Sequence, residues 1–238
     1  EIMFADFAAV CLDQIVNQAA KMRYMSGGQL KVPLTIRMPQ GAGVSFGGQH
    51  SQSVEAWFIG STGLKVAVPS NAADALGLLK TAIRDDNPVV FLEHKGQYSE
   101  TADVPDGDHF VPFGVAKVVR PGKDVTIVAV QRMVGVALRA AETLAKSGIE
   151  CEVIDPSTLV PLDSETILQS VKKTNRLITV EEGTHAGGWG GEVVTRVLNE
   201  ALWYLDAPMI RVTMGETIIP FSFPLEQHIT PNEARVIE

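Results

Sequence analysis

Val125-Thr126-Ile127-Val128-Ala129-Val130, a helical run over residues 135–146, Gly148, then Cys151-Glu152-Val153-Ile154: this stretch decides the fold class. A short run rich in β-branched residues reads as a buried strand, and the Ala- and Leu-rich run after it as a helix. Gly148 stands just past the helix end, where a left-handed residue closes the last turn. Two strands joined by such a helix lie parallel, with a right-handed crossover. The pattern continues with a helix over 164–173 capped by Asp163 or Ser164, a strand over 176–180, a helix over 191–205 and a strand over 209–212. Upstream, strands are predicted over 32–37, 64–68 and 89–93, and helices over 53–59 and 71–84, the second capped by Asn71. Residues 4–24 carry Ala8, Cys11, Leu12, Ile15, Ala19 and Met22 at helical spacing. Residues 94–123 lose periodicity and gain turn residues. The reading is two α/β units, over 1–110 and 124–238, joined by a linker over 111–123, with the first unit short of its N-terminal part.

Bulk properties narrow the function classes. The formal net charge of -8 disfavours nucleic acid, which needs a cationic surface, and leaves room for a basic protein partner. Cys11 and Cys151 lie far apart in no metal-ligand spacing and fit two free thiols in a reducing compartment. No apolar run approaches the roughly 20 residues that cross a bilayer, so no membrane is expected. The chain starts at Glu1-Ile2-Met3, without an initiator methionine.

Among the motifs, Gly41-Ala42-Gly43-Val44-Ser45-Phe46-Gly47 and Gly187-Gly188-Trp189-Gly190-Gly191 lack the GxGxxG spacing of a dinucleotide site, and no phosphate-binding GxxxxGK[ST] occurs. Their glycines serve tight turns or close backbone approach. Asp106-Gly107-Asp108 reads as a solvated turn. His50 ends the glycine-rich loop just before a helix, and an imidazole there can exchange a proton near neutral pH; the competing reading is a hydrogen-bonding loop residue. His109 and His228 sit among turn residues and read as solvated, while His94 and His185, nearer strand ends, stay open. Glu181-Glu182 and Asp85-Asp86 read as a strand end and a turn rather than an acid/base pair.

Several strings together resemble the β subunit of the E1 component of 2-oxo-acid dehydrogenase complexes, within the transketolase-like group. They are Val32-Pro33-Leu34-Thr35-Ile36-Arg37, Gly41-Ala42-Gly43, Gln49-His50-Ser51-Gln52-Ser53, Gly63-Leu64-Lys65-Val66, Ala82-Ile83-Arg84-Asp85-Asp86-Asn87-Pro88-Val89 and Phe91-Leu92-Glu93-His94-Lys95, and in the second half Val153-Ile154-Asp155, Leu159-Val160-Pro161-Leu162-Asp163 and Glu181-Glu182-Gly183. The resemblance implies a transketolase-like pyrimidine-binding domain, here lacking its N-terminal part, followed by a three-layer α/β transketolase C-terminal domain. It implies decarboxylation of a 2-oxo acid, pyruvate first, on thiamine diphosphate, and transfer of the acyl group to lipoamide. The cofactor would be shared: an E1 α subunit holds the diphosphate and Mg²⁺, and this chain faces the aminopyrimidine. Further implied partners are the E2 lipoyl acyltransferase and a second β subunit, in a bacterial cytoplasm or a mitochondrial matrix.

By the same resemblance Phe7 matches an aromatic that contacts the aminopyrimidine, though a core phenylalanine would look the same in sequence. His50 matches the active-site histidine near the lipoyl entrance. Leu34, Ala82, Ile83, Asp85 and Asn87 match positions around a structural K⁺ in some members, largely through backbone oxygens; a turn beside a helix end is the competing reading. The family's cofactor-activating glutamate is expected upstream of Glu1, so the chain is expected to be part of a longer β subunit and inactive alone. The alternatives are an acetoin or branched-chain 2-oxo-acid β subunit, or a non-catalytic assembly fragment; the Gln49-His50-Ser51-Gln52 string argues against a stand-alone transketolase-like enzyme.

Overall fold

The computed structural model describes residues 1–238 as two packed sheets with helices around them. The strands are β1 (Thr35–Gln40), β2 (Lys65–Ala67), β3 (Val89–His94), β4 (Lys117–Arg120), β5 (Val125–Ala129), β6 (Cys151–Asp155), β7 (Thr158–Val160), β8 (Leu177–Thr184) and β9 (Ile210–Met214). One sheet runs β1-β3-β2-β7, the other β4-β6-β5-β8-β9. Within each sheet the strands predicted from sequence pair parallel, and an antiparallel edge strand is added: β7 on β2 and β4 on β6. Both added strands are short and were absent from the sequence reading, because three or four residues carry too little periodicity. β7 follows β6 in the chain yet joins the sheet of the first half, and β4 lies inside the segment read as linker.

The helices are α1 (Ala20–Met25), α2 (Gly47–His50), α3 (Glu55–Ile59), α4 (Ala72–Ile83), α5 (Arg132–Ala145), α6 (Ser164–Thr174), α7 (Trp189–Ala201), α8 (Phe223–Ile229) and α9 (Glu233–Ile237). Asn71 caps α4 as expected, its side chain accepting from the Asp74 N–H at 2.9 Å. Asp163 caps α6 in the same way, and Asn175 ends it at φ 61°. α5 buries Met133, Val134, Val136, Ala137, Ala140 and Ala141, one apolar stripe set against its sheet. The segment over 4–24 is helical but not one helix. It opens as a 3₁₀ turn (Ala5–Val10), passes through a π turn (Gln14–Ala19) and only then becomes α1. α8 and α9 lie where no helix was foreseen, so exposed His228 sits on a helix rather than a turn.

One hydrophobic core runs through both halves. Met38, Phe58, Val66 and Leu92 of the first pack in the same cluster as Val128, Ile154, Trp189 and Val197 of the second. No helix is long and apolar enough to cross a membrane.

Candidate active site

The C-terminal ends of β1 and β3 from one sheet meet those of β5 and β8 from the other. In α/β folds that is where backbone groups and loops are free to bind ligands. Gln131 follows β5 and carries much of the join. Its N–H donates to Ser70 Oγ at 2.7 Å, its Nε2 to the Leu92 carbonyl at 2.9 Å, and its Oε1 accepts from Gln40 Nε2 at 3.0 Å. These bonds hold a non-glycine residue at φ 54°, a conformation that costs about 1–3 kcal/mol.

His94 ends β3, fully buried, with Nε2 2.9 Å from Glu182 Oε2 on β8. The Gly96 N–H donates to His94 Nδ1 at 3.1 Å, so the ring proton is on Nε2 and is donated to Glu182. Glu182 also accepts from the Ala42 N–H at 2.9 Å and lies 3.6 Å from Arg132 Nη1. Gly41, at φ 93°, passes so close to the His94 ring that a Cβ would overlap it, which is why this loop needs glycine there. The acids read as a strand end are therefore buried ion-pair partners inside β8. Glu181 accepts from Arg211 Nη2 at 2.7 Å and, through the same Oε1, from the Gly190 N–H at 3.2 Å.

Burial dominates the charge states. Glu55, on α3, is pushed up to about 7 by burial and by the neighbouring Glu181 and Glu182, against a hydrogen bond from Gln40 Nε2 at 2.5 Å. Glu181 is likewise raised by burial despite Arg211. For Glu182 burial pulls upward too, but His94, the Ala42 N–H and Arg132 outweigh it and hold the carboxyl below its ordinary range. These three acids line one side of a cleft of about 360 Å³, walled by Gln52, Trp57, Trp189 and Ile218.

His50 ends α2 beside this cleft. Its ring stacks on Phe4 at 4.3 Å and 7°, and Phe7 tilts against it at 5.2 Å. Phe46 completes the cluster, 5.7 Å from Phe4. Lys95 lies 5.7 Å from the Phe4 centroid and donates to the Gly41 carbonyl at 2.8 Å; burial brings it down to about 8, against the pull of Asp6, Glu182 and Glu226. Phe7 is 45% exposed and Phe46 49%, so both offer ring surface to a planar ligand. That chemistry suits an aminopyrimidine, which an exposed phenyl face can stack on. Phe7 is thus not a core phenylalanine, and it stands with His50 in one cluster.

Leu34, Ala82, Ile83, Asp85 and Asn87 lie along the corner where the approach to β1 meets the turn between α4 and β3. The Leu34 carbonyl accepts from the Val89 N–H at 2.8 Å and the Ala82 carbonyl from the Asp85 N–H at 3.1 Å. Asp85 already pairs with Lys65 and accepts from the Asn87 N–H at 2.8 Å, and Asn87 Oδ1 accepts from Arg23 at 2.9 Å. A cation at this corner would have to share Asp85 with an ammonium group, so the side-chain oxygens do not form a ready-made site; hard-cation ligation falls to the remaining carbonyl lone pairs. Nowhere in the chain do three or more His, Cys, Asp or Glu gather in a way that could hold a metal ion. His109 departs from the solvated reading: it is half-buried and packs near Gly77 of α4, with Nε2 buried and unpartnered. His185 is exposed.

Sequence reasoning missed Phe4, Asp6, Phe46 and Lys95 around His50, and the His94–Glu182 pair. For the pair a signal existed: both residues sit at the C-terminal end of a predicted parallel strand. For the aromatic cluster none did, since Phe4 and Phe46 are far apart in sequence.

Comparison with known proteins agrees with this two-part architecture. The transketolase pyrimidine binding domain model matches residues 1–101, and the transketolase C-terminal domain model matches residues 114–236. The chain is 48% identical over 238 residues to the pyruvate dehydrogenase E1 component subunit beta of Rickettsia felis, spanning 73% of that protein. It is 46% identical over 239 residues to the protein of that name from Rhizobium meliloti, spanning 52% of it. It is 44% identical over 237 residues to the acetoin:2,6-dichlorophenolindophenol oxidoreductase subunit beta of Bacillus subtilis, spanning 69% of it. Among solved structures it resembles a split gene transketolase, an inactive beta4 tetramer, with TM-score 0.81 and 26% identity over 99% of this chain and 72% of that one.

Proposed function

The chain belongs to the transketolase-like family of E1 β subunits, and from that we propose that it is the β subunit of a pyruvate dehydrogenase E1. It would decarboxylate pyruvate on thiamine diphosphate and pass the acyl group to lipoamide on an E2 acyltransferase. The observation that carries this is the match at 48% identity along all 238 residues. Thiamine diphosphate, when bound, supplies the nucleophilic carbon and the electron sink for decarboxylation.

This chain's own residues would then bind, orient and exclude water. Phe7 would contact the aminopyrimidine, with Phe4 and Phe46 closing the wall against solvent. His50, about a third exposed at the mouth of the cluster, would exchange a proton during acyl transfer. The buried Gln131 and His94–Glu182 joins would keep the two sheets, and hence the cluster, in register. The assembly would include an E1 α subunit holding Mg²⁺ and the diphosphate and a second β subunit, in a bacterial cytoplasm or a mitochondrial matrix. The chain would divide into units over 1–110 and 124–238, joined by residues 111–123. Any K⁺ at the Leu34–Asn87 corner would be held through main-chain carbonyls, and no catalytic step depends on it.

A second reading is favoured by one observation: the 44% identity to an acetoin oxidoreductase β subunit is nearly as high. Reconstitution separates the two. The full-length subunit is mixed with a cognate α subunit, thiamine diphosphate and Mg²⁺, and turnover of pyruvate and acetoin is followed with an artificial electron acceptor. Pyruvate turnover that needs both chains is the expected result. Turnover of acetoin but not pyruvate moves the assignment to the second reading; no turnover of either by a well-formed heterotetramer defeats both.

A further inference from the structure

His50 Nδ1 is buried and has no hydrogen-bond partner, a costly state for a ring nitrogen. The nearest group of opposite character is Asp6 Oδ2, 3.8 Å away on the 3₁₀ turn that precedes α1. Asp6 is itself fixed: its side chain is 10% exposed and its Oδ1 accepts from Gln52 Nε2 at 2.5 Å. One carboxylate oxygen is thus anchored and the other is left facing the imidazole. Phe4, two residues earlier, stacks on the same ring and sets its plane. The other charged groups near His50 are set apart from it. Lys95, beyond the Phe4 ring, is committed to the Gly41 carbonyl; Glu226 takes the Ser45 N–H; Glu182 is paired with His94.

We infer that Asp6 is the positioning residue of His50: a movement of under about 1 Å brings its free oxygen into hydrogen-bond range of Nδ1. The proton is then kept on Nδ1, and Nε2, the nitrogen that is not buried, meets the substrate. Catalytic histidines gain both tautomer and orientation from such a third group. The inference rests on the proposed role of His50 and adds the group that sets its chemistry.

The test uses the reconstituted heterotetramer and two half-reactions, decarboxylation with an artificial acceptor and reductive acylation of a free lipoyl domain. Asp6→Asn keeps the shape and the Gln52 contact and removes the acceptor that faces Nδ1. Transfer should fall about tenfold or more, and further than decarboxylation. The loss should lie in kcat for transfer and leave KM for the lipoyl domain within about twofold, because what is lost is the tautomer and orientation of the ring rather than docking. Asp6→Glu should restore part of the rate. In a His50→Ala background Asp6→Asn should add nothing further. An Asp6→Asn enzyme with unimpaired transfer, or a loss that adds in full to that of His50→Ala, overturns the inference while leaving the His50 role standing. Equal loss of both half-reactions in His50→Ala alone would instead remove the reading beneath it.

Discussion

Glu55 is a carboxylate placed where charge is unwelcome, and replacing it by glutamine should stabilise the protein in a strongly pH-dependent way. It is 4% exposed, and burial together with Glu181 and Glu182 lifts its proton affinity from the ordinary 4.5 to about 7. In the unfolded chain the group ionises near its ordinary value. Between about pH 4.5 and 7 the folded state therefore holds a proton that the unfolded state has lost, and folding stability falls as pH rises. A tenfold difference in proton affinity is worth ~1.4 kcal/mol, so the full cost above pH 7 is about 3 kcal/mol. Glu55→Gln removes that cost and keeps a carbonyl oxygen to accept from Gln40 Nε2, the bond now 2.5 Å long. Urea unfolding followed by tryptophan fluorescence at pH 5, 6, 7 and 8 reads the effect. The two proteins should differ by less than about 1 kcal/mol near pH 5, and the variant should be roughly 3 kcal/mol more stable at pH 8. A stability gap that does not change with pH, or a variant less stable at pH 8, would refute the reasoning.

Two further substitutions test other joints. Arg211→Met strands the fully buried Glu181 carboxylate and should cost about 3–5 kcal/mol in urea unfolding, with much of the loss recovered by adding Glu181→Gln. Asn71→Ala removes the cap of α4 and should lower stability by ~1 kcal/mol, read as a shift in the unfolding midpoint with an unchanged denaturant slope.

The parts of the fold that could be read from sequence are those with enough residues to show a period. α5 and β5 announce themselves, one by an apolar stripe and the other by a run of β-branched residues. β4 and β7 are too short for that, and their pairing depends on neighbours far away in sequence. The helix expected over 4–24 is broken into 3₁₀, π and α turns although its apolar spacing is regular, and the breaks place Phe4, Asp6 and Phe7 against His50. Glu181-Glu182 reads in sequence as a strand end and no more, because charged pairs are seldom buried unless partnered. What hid their burial was the position of His94, Arg132 and Arg211, all distant in sequence.

The most direct measurement of the central claim is the partition between half-reactions in a His50→Ala heterotetramer. The account predicts that reductive acylation of the lipoyl domain falls by ~100-fold or more, well beyond the fall in decarboxylation. Equal loss in both, or a transfer rate like that of the wild type, would contradict it.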